Sequence, residues 1–156
     1  MSIDSTILIR IRHPDIDPEI LTRAFGIEPE YSWKAGEAKP GTDNGATRRE
    51  SYWVAQAPTS GRYPFAEGRA LGAKVSAYVN QSPLERALTI AALPFVANWQ
   101  LWSRLRDEGA TAQLIVYLGA NALAGFELMH EVMAMLSKFG LALSVEFRDA
   151  EEEVAA

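Results

Sequence analysis

Two groups of side chains in this sequence have the types and spacing to recognise another molecule. The first is Trp33-Lys34-Ala35-Gly36-Glu37, followed by Arg48, Arg49, Tyr52 and Trp53. A hairpin joining them would set tryptophans beside arginines, the residue types that most often anchor protein contacts. Gly36 lets the backbone turn, or be approached closely. The second group is Arg10, Arg12 and Arg148, in the first and last segments with strand character. If those strands are neighbours, the three arginines share an outer sheet face with Glu146, and such a face can receive an anionic group or an acidic partner. Each group also has a purely structural explanation. Trp33 and Trp53 would fill a small cluster beneath a loop, and the arginines would be ordinary cross-strand pairs on a solvated face. Alanine at Trp53 separates the two. A contact residue weakens partner capture and leaves folding cooperative; a core residue takes the fold with it.

Catalytic chemistry is thinly represented. His13 and His130 are the only histidines, and there are no cysteines. That removes disulfides, thiolate nucleophiles and thiolate metal sites together. His130-Glu131 does not extend into the zinc-protease pattern, because Ala134 stands where a second histidine is needed. Asp15 and Asp17 suit turn formation and helix capping. Glu28 and Glu30 flank Pro29 and read as solvated loop charges. No nucleophile elbow and no phosphate-binding glycine loop occurs. The sequence implies no cofactor and no metal. What remains for an enzyme is His13, Lys34 and Glu37, in segments able to converge on a cleft. A small-ligand-binding domain or a hydrolase-like enzyme there is the alternative to a non-catalytic binding module.

The elements that must position these residues follow from the apolar spacing. In Thr6 to Arg12, Ile7, Ile9 and Ile11 alternate with Leu8, Arg10 and Arg12, giving a strand with one buried face. Asp17, Pro18 and Gly26 bracket a short helix carrying Ile20, Leu21, Ala24 and Phe25. The stretch from Pro29 to Gly45 is a glycine-rich arm with a short strand at Tyr31 to Trp33, and strand character returns around Tyr52 to Val54. Residues 59–72 read as loop, and 74–79 fit either strand or helix. Ser82-Pro83-Leu84-Glu85 is a capping box opening a helix that Pro94 should break, with a second helix from Phe95 to Gly109. Ala112 to Leu118 is apolar on both faces and belongs in the middle of a sheet. Phe126, Met129, Val132, Met133 and Leu136 form the stripe of a closing helix stopped at Gly140. Leu141, Leu143, Val145 and Phe147 then alternate as a half-exposed strand.

A strand and then a helix thus open the chain, and the same order closes it, followed by one more strand, as two strand-helix repeats would. The predicted fold is a single α+β domain over residues 1–156: a two-layer sandwich with a mixed, mostly antiparallel sheet of about five strands and helices on one face. The ordered core spans about 5–148, with a disordered acidic tail at 149–156. At 156 residues and 48% hydrophobic composition, the chain can bury a core without a metal or disulfide staple. Its net charge of −5 argues against non-specific nucleic-acid binding. It has no signal-like start and no uninterrupted apolar span, so a soluble cytoplasmic protein with no membrane attachment is expected.

Several pieces carry a family resemblance. They are Ile9-Arg10-Ile11, Asp17-Pro18-Glu19-Ile20-Leu21-Thr22, Phe25-Gly26-Ile27-Glu28-Pro29, Lys34-Ala35-Gly36-Glu37 and Tyr52-Trp53. Together they resemble the bacterial domain-of-unknown-function family 4279, with Ala35 inserted into a plain Lys-Gly-Glu spacing. The resemblance implies a compact α+β domain and no particular activity. Similar domains among proposed immunity proteins of bacterial toxin systems make a protein partner the expected one. A homodimer formed through an exposed strand edge is a further expectation.

Overall fold

The computed structural model describes residues 5–41, 45–58, 82–119 and 127–148. The expected loop at 59–72, the ambiguous run at 74–79, Phe126 and the acidic tail at 149–156 lie outside them. In chain order the elements are β1 (Ser5–His13), α1 (Glu19–Phe25), β2 (Tyr31–Trp33), β3 (Ser51–Gln56), α2 (Pro83–Ala97), α3 (Trp99–Asp107), β4 (Thr111–Gly119), α4 (His130–Lys138) and β5 (Leu141–Arg148). The five strands form one sheet in the order β2-β3-β1-β4-β5. Three pairings are antiparallel, and β4 with β5 is parallel, joined through α4. The α+β fold read from the sequence is the one observed.

Alternation sets the two sheet faces. Ile7, Ile9 and Ile11 of β1 lie level with Ala55 and Trp53 of β3 and with Ala112, Leu114 and Val116 of β4. All are at most 4% exposed. Against this face pack Leu21 and Phe25 of α1, Leu88 and Phe95 of α2, Trp102 and Leu105 of α3, and Val132 and Leu136 of α4, in one core. Four aromatic rings link these layers edge to face. Trp53 meets Phe25 at 5.6 Å, Phe25 meets Phe95 at 5.1 Å, and Phe95 meets Trp102 at 5.0 Å. Each such pair adds about 0.5–1.5 kcal/mol beyond its buried area. The chain of rings ends in polar anchors: Trp53 Nε1 donates to Thr22 Oγ1, and Trp102 Nε1 donates to the Phe139 carbonyl at 2.7 Å.

The helix ends follow local chemistry. The predicted capping box is present at Ser82 and Glu85, with Pro83 in the first turn of α2. Gly140, at φ +65°, ends α4 in the left-handed conformation that favours glycine. The guanidinium of Arg106 lies where a Cβ at Gly140 would stand, and donates to the Lys138 carbonyl.

Three expectations are corrected here. Pro94 does not break α2, which continues to Ala97. The break falls at Asn98, whose backbone N–H and Nδ2 both donate to the Pro94 carbonyl. The stripe of α4 is rotated: Val132, Met135 and Leu136 are buried, whereas Met129 and Met133 are about half exposed. Finally, β1 and β5 are not neighbours, because β4 lies between them.

Candidate functional site

The face of the sheet opposite the four helices carries the candidate site. Trp33 of β2, Tyr52 of β3 and Arg12 of β1 form one cross-strand row. Tyr31, Val54, Arg10, Gln113 and Ala142 form the next, running from β2 to β5. Val54 and Ile115 are buried on this face, outside the main core, with Val54 held between Tyr31 and Arg10 as its register partners.

The rings in these rows lie nearly parallel. Trp33 and Tyr52 are stacked with centroids 4.5 Å apart and planes 7° apart, and Tyr31 lies about 6 Å from both. Arg48 returns from the arm to place its guanidinium 3.9 Å over the other face of Trp33. On the far side Arg12 approaches the Tyr52 ring at 5.5 Å. The row therefore reads cation, indole, phenol, cation. Each contact of this kind contributes roughly 0.5–2 kcal/mol, least where exposed. Arg10 donates to the Tyr52 hydroxyl at 3.3 Å and to Gln113 Oε1, and Gln113 Nε2 donates onward to Ser144 Oγ. Arg12 also lies 3.8 Å from Glu50, with both side chains about half exposed, so that pair is worth at most about 1 kcal/mol. The Tyr31 phenol is raised above its ordinary pKa, first by desolvation and then by the neighbouring Tyr52 phenol, with Arg10 opposing.

The arm that presents Arg48 is a built structure. Glu37 N–H donates to the Lys34 carbonyl, closing a four-residue turn with Gly36 at φ +90° in its third position. That φ fits glycine in a type II turn. Gly36 N–H donates to the Arg48 carbonyl, Arg48 N–H to the Glu37 carbonyl, and Lys39 N–H to the Ala46 carbonyl. Lys34-Ala35-Gly36-Glu37 is thus a turn that sets the register of the arm. Lys34 and Glu37 are exposed, and no ion pair joins them among the described residues. Arg49 is exposed beside Arg48.

Ser51 fastens the arm to the sheet. It is 1% exposed, donates through Oγ to the Ile16 carbonyl, and accepts from Ala35 N–H at 3.0 Å. Nothing in the spacing of Ser51 marks this role in the sequence. Ser51→Ala strands one carbonyl and one amide, which costs roughly 1–3 kcal/mol. Urea denaturation measures that loss, and hydrogen exchange at the Ala35 amide should quicken. An unchanged midpoint would show that the clip carries no stability.

The other predicted residues fall elsewhere. Trp53 is 0% exposed on the helix side of the sheet, the face opposite Trp33. It is a core side chain, and adjacent Tyr52 takes the outward position expected of it. Arg148 pairs with Gly119 at the end of β5. It stands six positions beyond Ala142, the residue level with Arg10, which is roughly 20 Å at about 3.3 Å per residue. The three arginines therefore do not form one surface. His130 is exposed and lies 3.1 Å from Glu131.

His13 is 4% exposed and committed to the turn after β1. Its Nδ1 accepts from Asp15 N–H at 3.0 Å and from Ile16 N–H at 2.9 Å. Its Nε2 faces Glu108 Oε2 at 3.6 Å, with no hydrogen-bond partner among the described residues. Ser51 is level with His13 and bonded to Ala35, so the backbones of the predicted cleft do converge. The hollow lined by His13, Ser51 and Trp53 has no room for a water molecule. Among the described residues, no cluster of three or more potential metal ligands occurs, and no helix is long and apolar enough to cross a membrane.

No curated protein and no solved structure matches the chain. Residues 4–68, which include β1, α1, the arm and β3, match the family described as Domain of unknown function (DUF4279), the family that the Asp17-Pro18 and Lys34–Glu37 elements resemble.

Proposed function

We propose that this domain is a non-catalytic interaction module, acting in the manner of an immunity protein and capturing a protein partner on the aromatic and arginine corner of its sheet. The observation that carries this reading is the row Arg48, Trp33, Tyr52, Arg12 on the side of the sheet away from the four helices. Stacking holds these side chains in place before any partner arrives, which reduces the entropy cost of binding. Their types are those that dominate contact energies. Arg10, Lys34 and Arg49 add positive charge nearby in a chain of net charge −5, favouring an acidic partner surface. The alternative, a small-ligand or hydrolase-like cleft at His13, Lys34 and Glu37, has less behind it. Nδ1 of His13 is occupied by two backbone donors, and the hollow beside it is too small for a water molecule.

The test is affinity capture from the cell of origin, with wild type beside two variants. Trp33→Ala with Arg48→Ala removes the outer half of the row, and Ile20→Ala changes an exposed residue of α1 on the other side of the sheet. A contact residue of this class is worth more than about 1 kcal/mol, so the double variant should lose tenfold or more of the captured protein. The Ile20 variant should retain it. Equal recovery with both variants, each folded by circular dichroism, would rule out this corner.

A further inference from the structure

We infer that β5 and α4 form a self-association edge, on which a second copy of this chain extends the sheet. This inference rests on a different part of the molecule from the corner described above. β5 is an eight-residue outer strand with one side paired to β4, and its other side has no strand partner among the described residues. Unpaired strand edges of this length recruit further strands unless bulges, prolines or inward charges prevent it. β5 contains no proline, and its helix-side residues Leu141, Leu143, Val145 and Phe147 are all apolar.

The apolar surface continues upward from that edge. Exposure along the helix side of β5 rises from buried Leu141, through partly buried Leu143 and Val145, to 60% at Phe147. On α4, Val132, Met135 and Leu136 face the sheet. Parallel strand-helix-strand crossovers are right-handed, and with that hand the flank carrying Met129 and Met133 turns outward past β5. Those methionines are 48% and 51% exposed. One strip therefore combines a strand edge with no partner among the described residues, Phe147 and two methionines.

A second copy fits this strip on geometric grounds. A two-fold axis normal to the sheet makes β5 antiparallel to its copy and keeps both sets of helices on one side. Residues level across the axis must then share a face, so their numbers sum to an even value. Centring on Val145 sets Phe147 of each copy opposite Leu143 of the other. The same axis brings the outward flank of each α4 to the other at equal height above the sheet, methionine against methionine. A stranger's strand would match the backbone; a second copy also supplies the matching helical flank. A dimer of this kind needs about 1,000 Å² or more of buried surface, which strand pairing and helix contact together must provide.

The chain has no cysteine, so one introduced cysteine is a unique probe. Met133→Cys should cross-link efficiently with a short bis-maleimide at micromolar protein, while Arg23→Cys, on exposed α1, should not. Light scattering should give twice the chain mass for wild type, and a single chain mass for Met133→Lys with Phe147→Lys. A monomer at 100 μM would overturn the proposal. So would a dimer that survives the double lysine variant, or equal cross-linking at Arg23→Cys.

Discussion

Trp53→Ala is expected to remove about 3–5 kcal/mol of stability, the range for deleting a buried aromatic from a packed core. Most of that loss is apolar burial, since Trp53 is 0% exposed. The rest comes from the edge-to-face contact with Phe25 and the hydrogen bond to Thr22 Oγ1. For a domain with typical stability of roughly 5–15 kcal/mol, this can consume half of the margin or more. Trp53→Phe should retain much of the packing and forfeit the hydrogen bond, at about 1–2 kcal/mol. Urea denaturation followed by circular dichroism measures both. A Trp53→Ala loss below about 1 kcal/mol would contradict the seating of α1 on β3. Any loss of partner capture by Trp53→Ala then reflects unfolding, and Trp33 and Tyr52 are the residues that probe the surface.

Glu85→Ala is expected to be costly for a polar side chain. Glu85 is 3% exposed and serves two helices. One oxygen accepts from the Ser82 N–H and Oγ, both at 3.2 Å, and closes the capping box of α2. The other accepts from Met129 N–H at 2.9 Å, at the start of α4. A hydrogen bond to a charged group is worth about 1.5–3 kcal/mol, and the stranded backbone donors carry their own desolvation penalty. The combined loss is roughly 2–4 kcal/mol. Glu85→Gln is informative because its amide has a single oxygen. Whichever way the amide turns, an NH2 group faces a backbone N–H, so it should cost more than half as much as alanine. Denaturation gives the totals, and hydrogen exchange at Met129 isolates the second contact. Unchanged protection at Met129 in both variants would show that the bridge to α4 is unimportant.

The sequence spoke clearly wherever a periodicity had only one physical solution. Ile7, Ile9 and Ile11 could share only a strand face, and the apolar run from Ala112 to Leu118 had to be flanked on both sides. Ser82 and Glu85 announced a helix start through three residues of local chemistry. Lateral order was hidden, because alternation says which face a residue takes and nothing about which strand lies beside it. Arg10 and Arg12 do not share a surface with Arg148 for that reason: β4 lies between the two terminal strands. Tyr52 and Trp53 show the same limit at single-residue scale. Adjacent strand residues point oppositely, and only the pairing of Ile11 with Trp53 decides which one is buried. On α4, the stripe through Met129 and Met133 and the stripe through Met135 overlap at Val132 and Leu136. A nine-residue helix is too short for its sequence to choose between them. The row of Arg48, Trp33, Tyr52 and Arg12 was half legible. Its members were suspected, but the stacking depended on an arm whose register is set by Gly36 and Ser51.

The position of β1 has a consequence for synthesis. Arg10 bonds to Gln113, 103 residues further along the chain. One edge of β1 is closed by β3, but the other can be closed only by β4. At ribosomal speeds of about 5–20 residues per second, the interval between β3 and β4 lasts roughly 3–12 s. Through that interval the nascent N-terminal half holds an open strand edge and an apolar face awaiting α2 and β4, so chaperones have their natural window on this protein before residue 119 has left the exit tunnel.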